Sequence, residues 1–227
     1  MGAPDKIRLL VSALIKYVFG VALVALMIFL PAGDFVYPNA WLFMALLFVP
    51  MLILGVWLYV ANPALLASRI KNKEQRKEQK HVVALSGIIF ISVFVLCGLD
   101  YRYDWSEVPR WLVCVASILL LVGYVMYAEV MRENAYLSRT IEVQEGQKLI
   151  ATGMYAVVRH PMYSATILMY LAIPLVLGSL WALLLMSFYP FVIVKRIRNE
   201  EQLLVQELPG YIEYQKRVKY KIIPGIW

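Results

Sequence analysis

The sequence predicts an all-helical, polytopic integral membrane fold with about six transmembrane helices. Three observations predict it: the composition, the lengths of the apolar runs and the placement of the basic residues. Of the 227 residues 62% are hydrophobic and 16% charged, whereas soluble domains carry about 25% charged residues. Mean hydropathy is +0.69. Such a chain lacks the charge to cover a water-facing surface. The 22 basic residues outnumber the 15 acidic ones, but they flank apolar runs, which points to an anionic leaflet and away from nucleic acid.

The first apolar run, 9–30, follows Lys6 and Arg8. It exceeds the roughly 7–15 residues of a signal-peptide core and lacks a small-residue cleavage pattern, so it reads as a retained span. The runs 40–61, 82–99 and 111–130 each suit one crossing of about 20 residues. The stretch 162–194 is too long for one crossing and short for two. Pro174 and the pair Gly178-Ser179 interrupt it, which predicts a tight helical hairpin of two short spans. Backbone inside lipid must satisfy its own hydrogen bonds, and nothing alternates with period two, so a barrel is excluded. The chain divides into a four-helix region, 1–130, and a second region, 131–227, that combines the hairpin with polar segments.

Lysine and arginine set the orientation. They concentrate in loop 62–81, in segment 131–160 and in the tail after Lys195, while the loops 31–39 and 100–110 hold only Arg102 and Arg110. Six crossings with both termini in the cytoplasm fit this pattern. The charged run 69–80 reads as a solvated inside loop. Cys97 and Cys114 read as free buried thiols, and two cysteines with two distant histidines give no metal-binding spacing.

Two polar segments depart from a bland bundle. The first is GMYAVVRHPMY, Gly153 to Tyr163. Proline suits the first helical turn and pushes His160 out of helical geometry. The amides of Met162 and Tyr163 then stand free at a positive helix end, and with Arg159 and His160 they form an anion site. The competing reading is an ordinary helix start with an interfacial tyrosine and a snorkelling arginine. The second segment is RIRNEE, Arg196 to Glu201, where Arg196 and Glu200 share a helix face. An exposed ion pair is the plain account, although two adjacent glutamates are unusual among basic flanks. The tail that follows, with Tyr211, Tyr214 and Tyr220, either lies on the membrane or folds back as a lid. Both segments flank one hairpin, so they fall on one face of the membrane and can meet.

These segments, with the ending GYIEYQKRVKYKIIPGIW, resemble the isoprenylcysteine carboxyl methyltransferase family, in particular its prokaryotic members and the related phospholipid methyltransferases. The likeness covers about residues 140–227. It implies an S-adenosylmethionine pocket on the cytoplasmic side, lined by Gln147, Lys148, Leu149, Ile150, Tyr155, His160, Pro161, Met162, Tyr163 and Glu200, with Arg196 beside the substrate. Many relatives carry a histidine in the stretch occupied here by Gln147 to Ile150. The implied reaction is methyl transfer to a lipophilic acceptor such as a carboxylate. A carboxylate is already ionised near neutral pH and needs no base, whereas an amine would need one, for which Glu200 and Glu201 are the candidates. Membrane sterol reductases share a similar C-terminal region, but they carry asparagine where Met162 stands and an acidic residue near Ser164-Ala165. A lipid-binding protein that keeps the scaffold is the non-enzymatic alternative. No glycine-rich strand-turn-helix motif of a soluble nucleotide fold is present.

Overall fold

The computed structural model describes residues 3–70, 77–137, 143 and 146–227, and among these residues there is no strand. The basic residues Lys71, Lys73, Arg76 and Arg139, which contribute to the inside loops, lie outside the described residues. Four long helices come first: α1 (Ala3–Ala32), α2 (Pro38–Ala61), α4 (Lys77–Tyr103) and α5 (Arg110–Glu133), with the short α3 (Pro63–Ile70) between α2 and α4. A 3-10 turn (Gly153–Ala156) then leads to α6 (Pro161–Leu177), α7 (Leu180–Met186), α8 (Tyr189–Glu207) and α9 (Tyr211–Arg217).

Among the described residues, five stretches are long and apolar enough to cross a bilayer: Asp5–Ala32, Pro38–Ala61, Val82–Tyr103, Arg110–Glu133 and Leu180–Glu207. The sixth apolar rod, α6, has 17 residues, at the short limit for a crossing helix. The hairpin exists, but its arms are unequal, since the second runs through α7 into the whole of α8. Its turn also lies later than Pro174 suggested. Pro174 sits within α6, where the helix continues to Leu177. The helix ends at Gly178, whose φ of +85° is left-handed, a conformation that glycine adopts without a Cβ penalty. The Ser179 amide donates to Pro174 O at 2.9 Å and the Gly178 amide to Leu175 O at 3.2 Å, the paired bonds that close a helix C-terminus. Ser179 then caps α7, its hydroxyl accepting from the Ala182 amide at 3.0 Å.

The end of the bundle that holds the hairpin turn is fastened by a buried carboxylate. Asp100, 1% exposed, accepts from the Ser106 hydroxyl at 2.6 Å and the Ser106 amide at 2.8 Å. The Ser179 hydroxyl donates to the same carboxylate, and the Leu180 amide donates to Ser106 Oγ at 3.0 Å. Nearby, the Tyr37 hydroxyl donates to Leu177 O. One node therefore ties α4, the start of α2 and the hairpin turn together.

Lipid tails give helices no hydrophobic reason to associate, so close backbone approach at small residues matters. α5 packs most extensively on α6, and a Cβ at Gly123 would come within 2.3 Å of Met169 Cγ. A Cβ at Gly98 of α4 would come within 2.5 Å of Ile28 O on α1. The buried core runs through α1, α2, α4, α5, α6 and α8 and includes Ile28, Phe43, Val93, Leu120, Val176 and Ile197. Both cysteines are free, but only Cys97 is buried. Cys114 faces outward from α5, where a membrane supplies the apolar surroundings that burial would give a soluble protein.

Candidate functional site

At the C-terminal ends of α5 and α8 and the N-terminal end of α6 lies an open cleft with an accessible volume of about 100 Å³. Six segments wall it. Asn134, Tyr136 and Leu137 come from the exit of α5, and Gln147, Lys148, Leu149 and Ile150 from the following extended loop. Tyr155 stands in the 3-10 turn, and Arg159, His160, Met162 and Tyr163 at the entrance to α6. Arg196, Glu200, Leu203 and Leu204 come from α8, and Leu208, Tyr211 and Tyr214 close the wall at α9.

The two polar segments meet at one hydroxyl. Tyr163, on the first turn of α6, donates to Glu200 Oε2 at 2.6 Å and accepts from Arg196 Nε at 2.9 Å. Arg196 and Glu200 do share a face of α8, as their spacing predicts, and Tyr163 from the other arm bridges them. The guanidinium, phenol and carboxylate therefore stand in fixed order along one wall.

Glu201 points elsewhere. It is 8% exposed, and Arg159 Nε donates to its Oε1 at 2.7 Å, with His160 Nε2 at 3.2 Å from the same oxygen. Lys221 Nζ lies 2.7 Å from its Oε2. This knot binds the tail to the α6 entrance. Arg159 Nη1 donates to Val218 O at 2.7 Å and Lys219 O at 2.9 Å. The amides of Arg159 and His160 donate to Tyr220 O at 2.9 Å and Lys221 O at 2.8 Å. Glu201 neutralises cations here because a buried charge without a partner is costly. With three donors already on its oxygens and no part in the cleft wall, it is placed to hold His160 and Arg159 rather than to take a proton from a substrate.

The entrance to α6 also differs from the expected open anion site. His160 lies outside helical geometry, with φ −127° and ψ 61°, consistent with the bar that a following proline sets on the helical region. Its carbonyl, however, accepts from the Tyr163 amide at 3.0 Å, so that amide is not free. Pro161 is fully buried and serves the helix start rather than the cleft surface.

The tail folds back over the cleft. Tyr211 and Tyr214 are both buried, and the Tyr214 hydroxyl donates to Tyr155 O at 2.7 Å. Asn134 Nδ2 reaches the Tyr155 hydroxyl at 3.0 Å. Burial raises the Tyr214 phenol to about 12 and pushes Tyr155 and Tyr211 up as well. All three are thus neutral near pH 7, and the Tyr214 proton is already committed to Tyr155 O.

Of the residues singled out in the sequence, all but Pro161 and Glu201 line the cleft. Sequence reasoning did not assign to it Asn134, Tyr136, Leu137, Leu203, Leu204, Leu208, Tyr211 or Tyr214. Some signal existed. Leu203 and Leu204 lie three and four residues beyond Glu200 and so share its face, and Tyr211 and Tyr214 are likewise three apart.

The helical bundle shares its fold with an intramembrane enzyme of known structure. The structure is similar to that of the eukaryotic intramembrane Ras methyltransferase, isoprenylcysteine carboxyl methyltransferase, with a TM-score of 0.58 and 17% identity, covering 90% of this chain and 75% of that one. Residues 111–209 match the phospholipid methyltransferase family. The match starts at α5, earlier than the motif-bearing stretch from about 140, and so takes in the helix on which α6 packs and whose exit walls the cleft. The chain is 27% identical over 158 residues to the uncharacterized protein YpbQ of Bacillus subtilis (strain 168), covering 65% of this chain and 92% of YpbQ. It is 34% identical over 91 residues to the Delta(14)-sterol reductase TM7SF2 of Mus musculus, 39% of this chain but only 22% of the reductase.

Proposed function

We propose that this protein is an integral membrane methyltransferase that uses S-adenosylmethionine to methylate a lipophilic acceptor, most simply a carboxylate, at the cytoplasmic face. Both termini lie in the cytoplasm on this reading, since the basic segments and the cleft share one end of the bundle. The observation that carries it is the Arg196–Tyr163–Glu200 array in the cleft wall, within a chain whose residues 111–209 match the phospholipid methyltransferases.

The donor set fits the cofactor. S-adenosylmethionine is a cation with an aromatic base, and the cleft offers a carboxylate, Glu200, among tyrosine rings that favour both. When bound, the cofactor supplies an electrophilic methyl group on a sulfonium. Glu200, Tyr155, His160 and the loop Gln147–Ile150 hold the nucleoside and amino-acid ends. Arg196 orients the acceptor, because a guanidinium fork matches a carboxylate. Leu203, Leu204 and Leu208 keep water from the two opposite charges, whose separation shrinks during transfer. Alignment is the main contribution, since an ionised carboxylate needs no base. For an amine acceptor Glu200 would be the base, because Glu201 is fully engaged.

The local match to the sterol reductase favours a second reading, a nicotinamide-dependent membrane reductase. Purified protein incubated with methyl-labelled cofactor and a membrane extract decides between them. Transfer of label into an organic-soluble product, lost in Arg196→Ala and Glu200→Ala, is expected. Thermal protection by NADPH but not by S-adenosylhomocysteine would reverse the assignment.

A further inference from the structure

The Tyr211 hydroxyl stands apart from the other polar atoms of the cleft. The ring belongs to α9, set by the left-handed Gly210 (φ +82°) that precedes it, and packs against Tyr214 at 5.7 Å between centroids. Tyr211 is 3% exposed and walls the cleft. Its hydroxyl is one of three buried side-chain atoms without a hydrogen-bond partner among the described residues, the others being Glu133 Oε2 and Asn199 Nδ2. Of these three residues Tyr211 is the one that lines the cleft.

An unpaired buried hydroxyl costs stability, so the folded protein keeps one where something else supplies the partner. Each neighbouring polar group is already committed. The Tyr214 hydroxyl is on Tyr155 O, Glu201 is held by Arg159 and Lys221, and Glu200 accepts from Tyr163. The phenol is neutral and therefore a donor, and the acceptor it lacks belongs to whatever fills the cleft.

We infer that Tyr211 is a cofactor-binding residue whose hydroxyl donates to an acceptor oxygen or nitrogen of bound S-adenosylmethionine. The inference rests on the function proposed above. It makes α9 the cover that reads the cofactor as well as the wall that encloses it. Recognition of the ligand then depends on a side chain more than ten residues beyond the Arg196–Glu200 turn.

Tyr211→Phe tests it, with affinity for S-adenosylhomocysteine measured by calorimetry on the detergent-purified full chain and thermal unfolding measured with and without ligand. The expected result is a Kd raised about 5- to 50-fold, with the ligand-free melting temperature unchanged or higher, because the variant removes an unpaired polar atom. Tyr220→Phe, at an exposed tyrosine outside the cleft, should leave both unchanged. Repeating the titration with methylthioadenosine locates the contact: a penalty that persists places it on the nucleoside, and one that vanishes places it on the amino-acid end. Unchanged affinity in Tyr211→Phe overturns the inference, as does a ligand-free melting temperature several degrees lower, which would give the hydroxyl a structural partner. Failure of the wild-type protein to bind S-adenosylhomocysteine would instead remove the proposed function.

Discussion

The bundle carries a buried acidic node at each end, and the two are built differently. At the hairpin-turn end Asp100 is shut in by Ser106, Ser179 and the neighbouring backbone, with donors on both carboxylate oxygens. At the opposite end Glu201 is similarly shut in, but one residue earlier Glu200 faces a cleft beside Arg196 and Tyr163, which an unpaired phenol also lines. A closed network holds helices together. An open one of the same residue types leaves donors and acceptors for a ligand. Satisfaction of the polar atoms, more than their presence, separates fastener from site.

Mutations can break this contrast. Arg196→Ala and Glu200→Ala should each lower methyl transfer by at least about 100-fold, as expected when a group positioned for the transition state is lost, with melting temperature nearly unchanged. Asp100→Ala should do the reverse. It strands buried hydroxyl donors and should cost about 2–3 kcal/mol of stability, read as a lowered melting temperature with normal turnover per folded molecule. Glu201→Gln should fall between, costing about 1–2 kcal/mol and weakening cofactor affinity through His160, with little change in kcat. If kcat falls as far as in Glu200→Ala, Glu201 is part of the chemistry after all. Tyr155→Phe removes the Asn134 contact and should weaken cofactor binding only about 2- to 10-fold. Arg132→Ala, at the exposed Glu129–Arg132 pair, should change neither stability nor activity measurably.

The helical class and most spans were legible because lipid imposes one demand everywhere, an apolar run of sufficient length. The convergence of RHPMY with the Arg196–Glu200 turn was legible because helical periodicity and a short hairpin leave the two segments few other places to go. The Glu200 and Glu201 roles were not. Adjacent residues on a helix point about 100° apart, and sequence does not say which direction meets Arg159. The Asp100 node was hidden for a related reason, since residues 100, 106 and 179 are joined only by the three-dimensional packing. Tyr211 and Tyr214 read equally well as a surface anchor, because an amphipathic tail looks the same whether its apolar face meets lipid or folds back on a cleft.

The strap that joins residues 159–160 to 218–221 also governs how the protein is made. The helices that insert into the bilayer emerge from the ribosome before the segment that completes Arg159, His160 and Glu201 has been synthesised. On the proposed function, a chain stalled before residue 218 would carry the apolar helices but lack the contacts that hold Arg159 and His160.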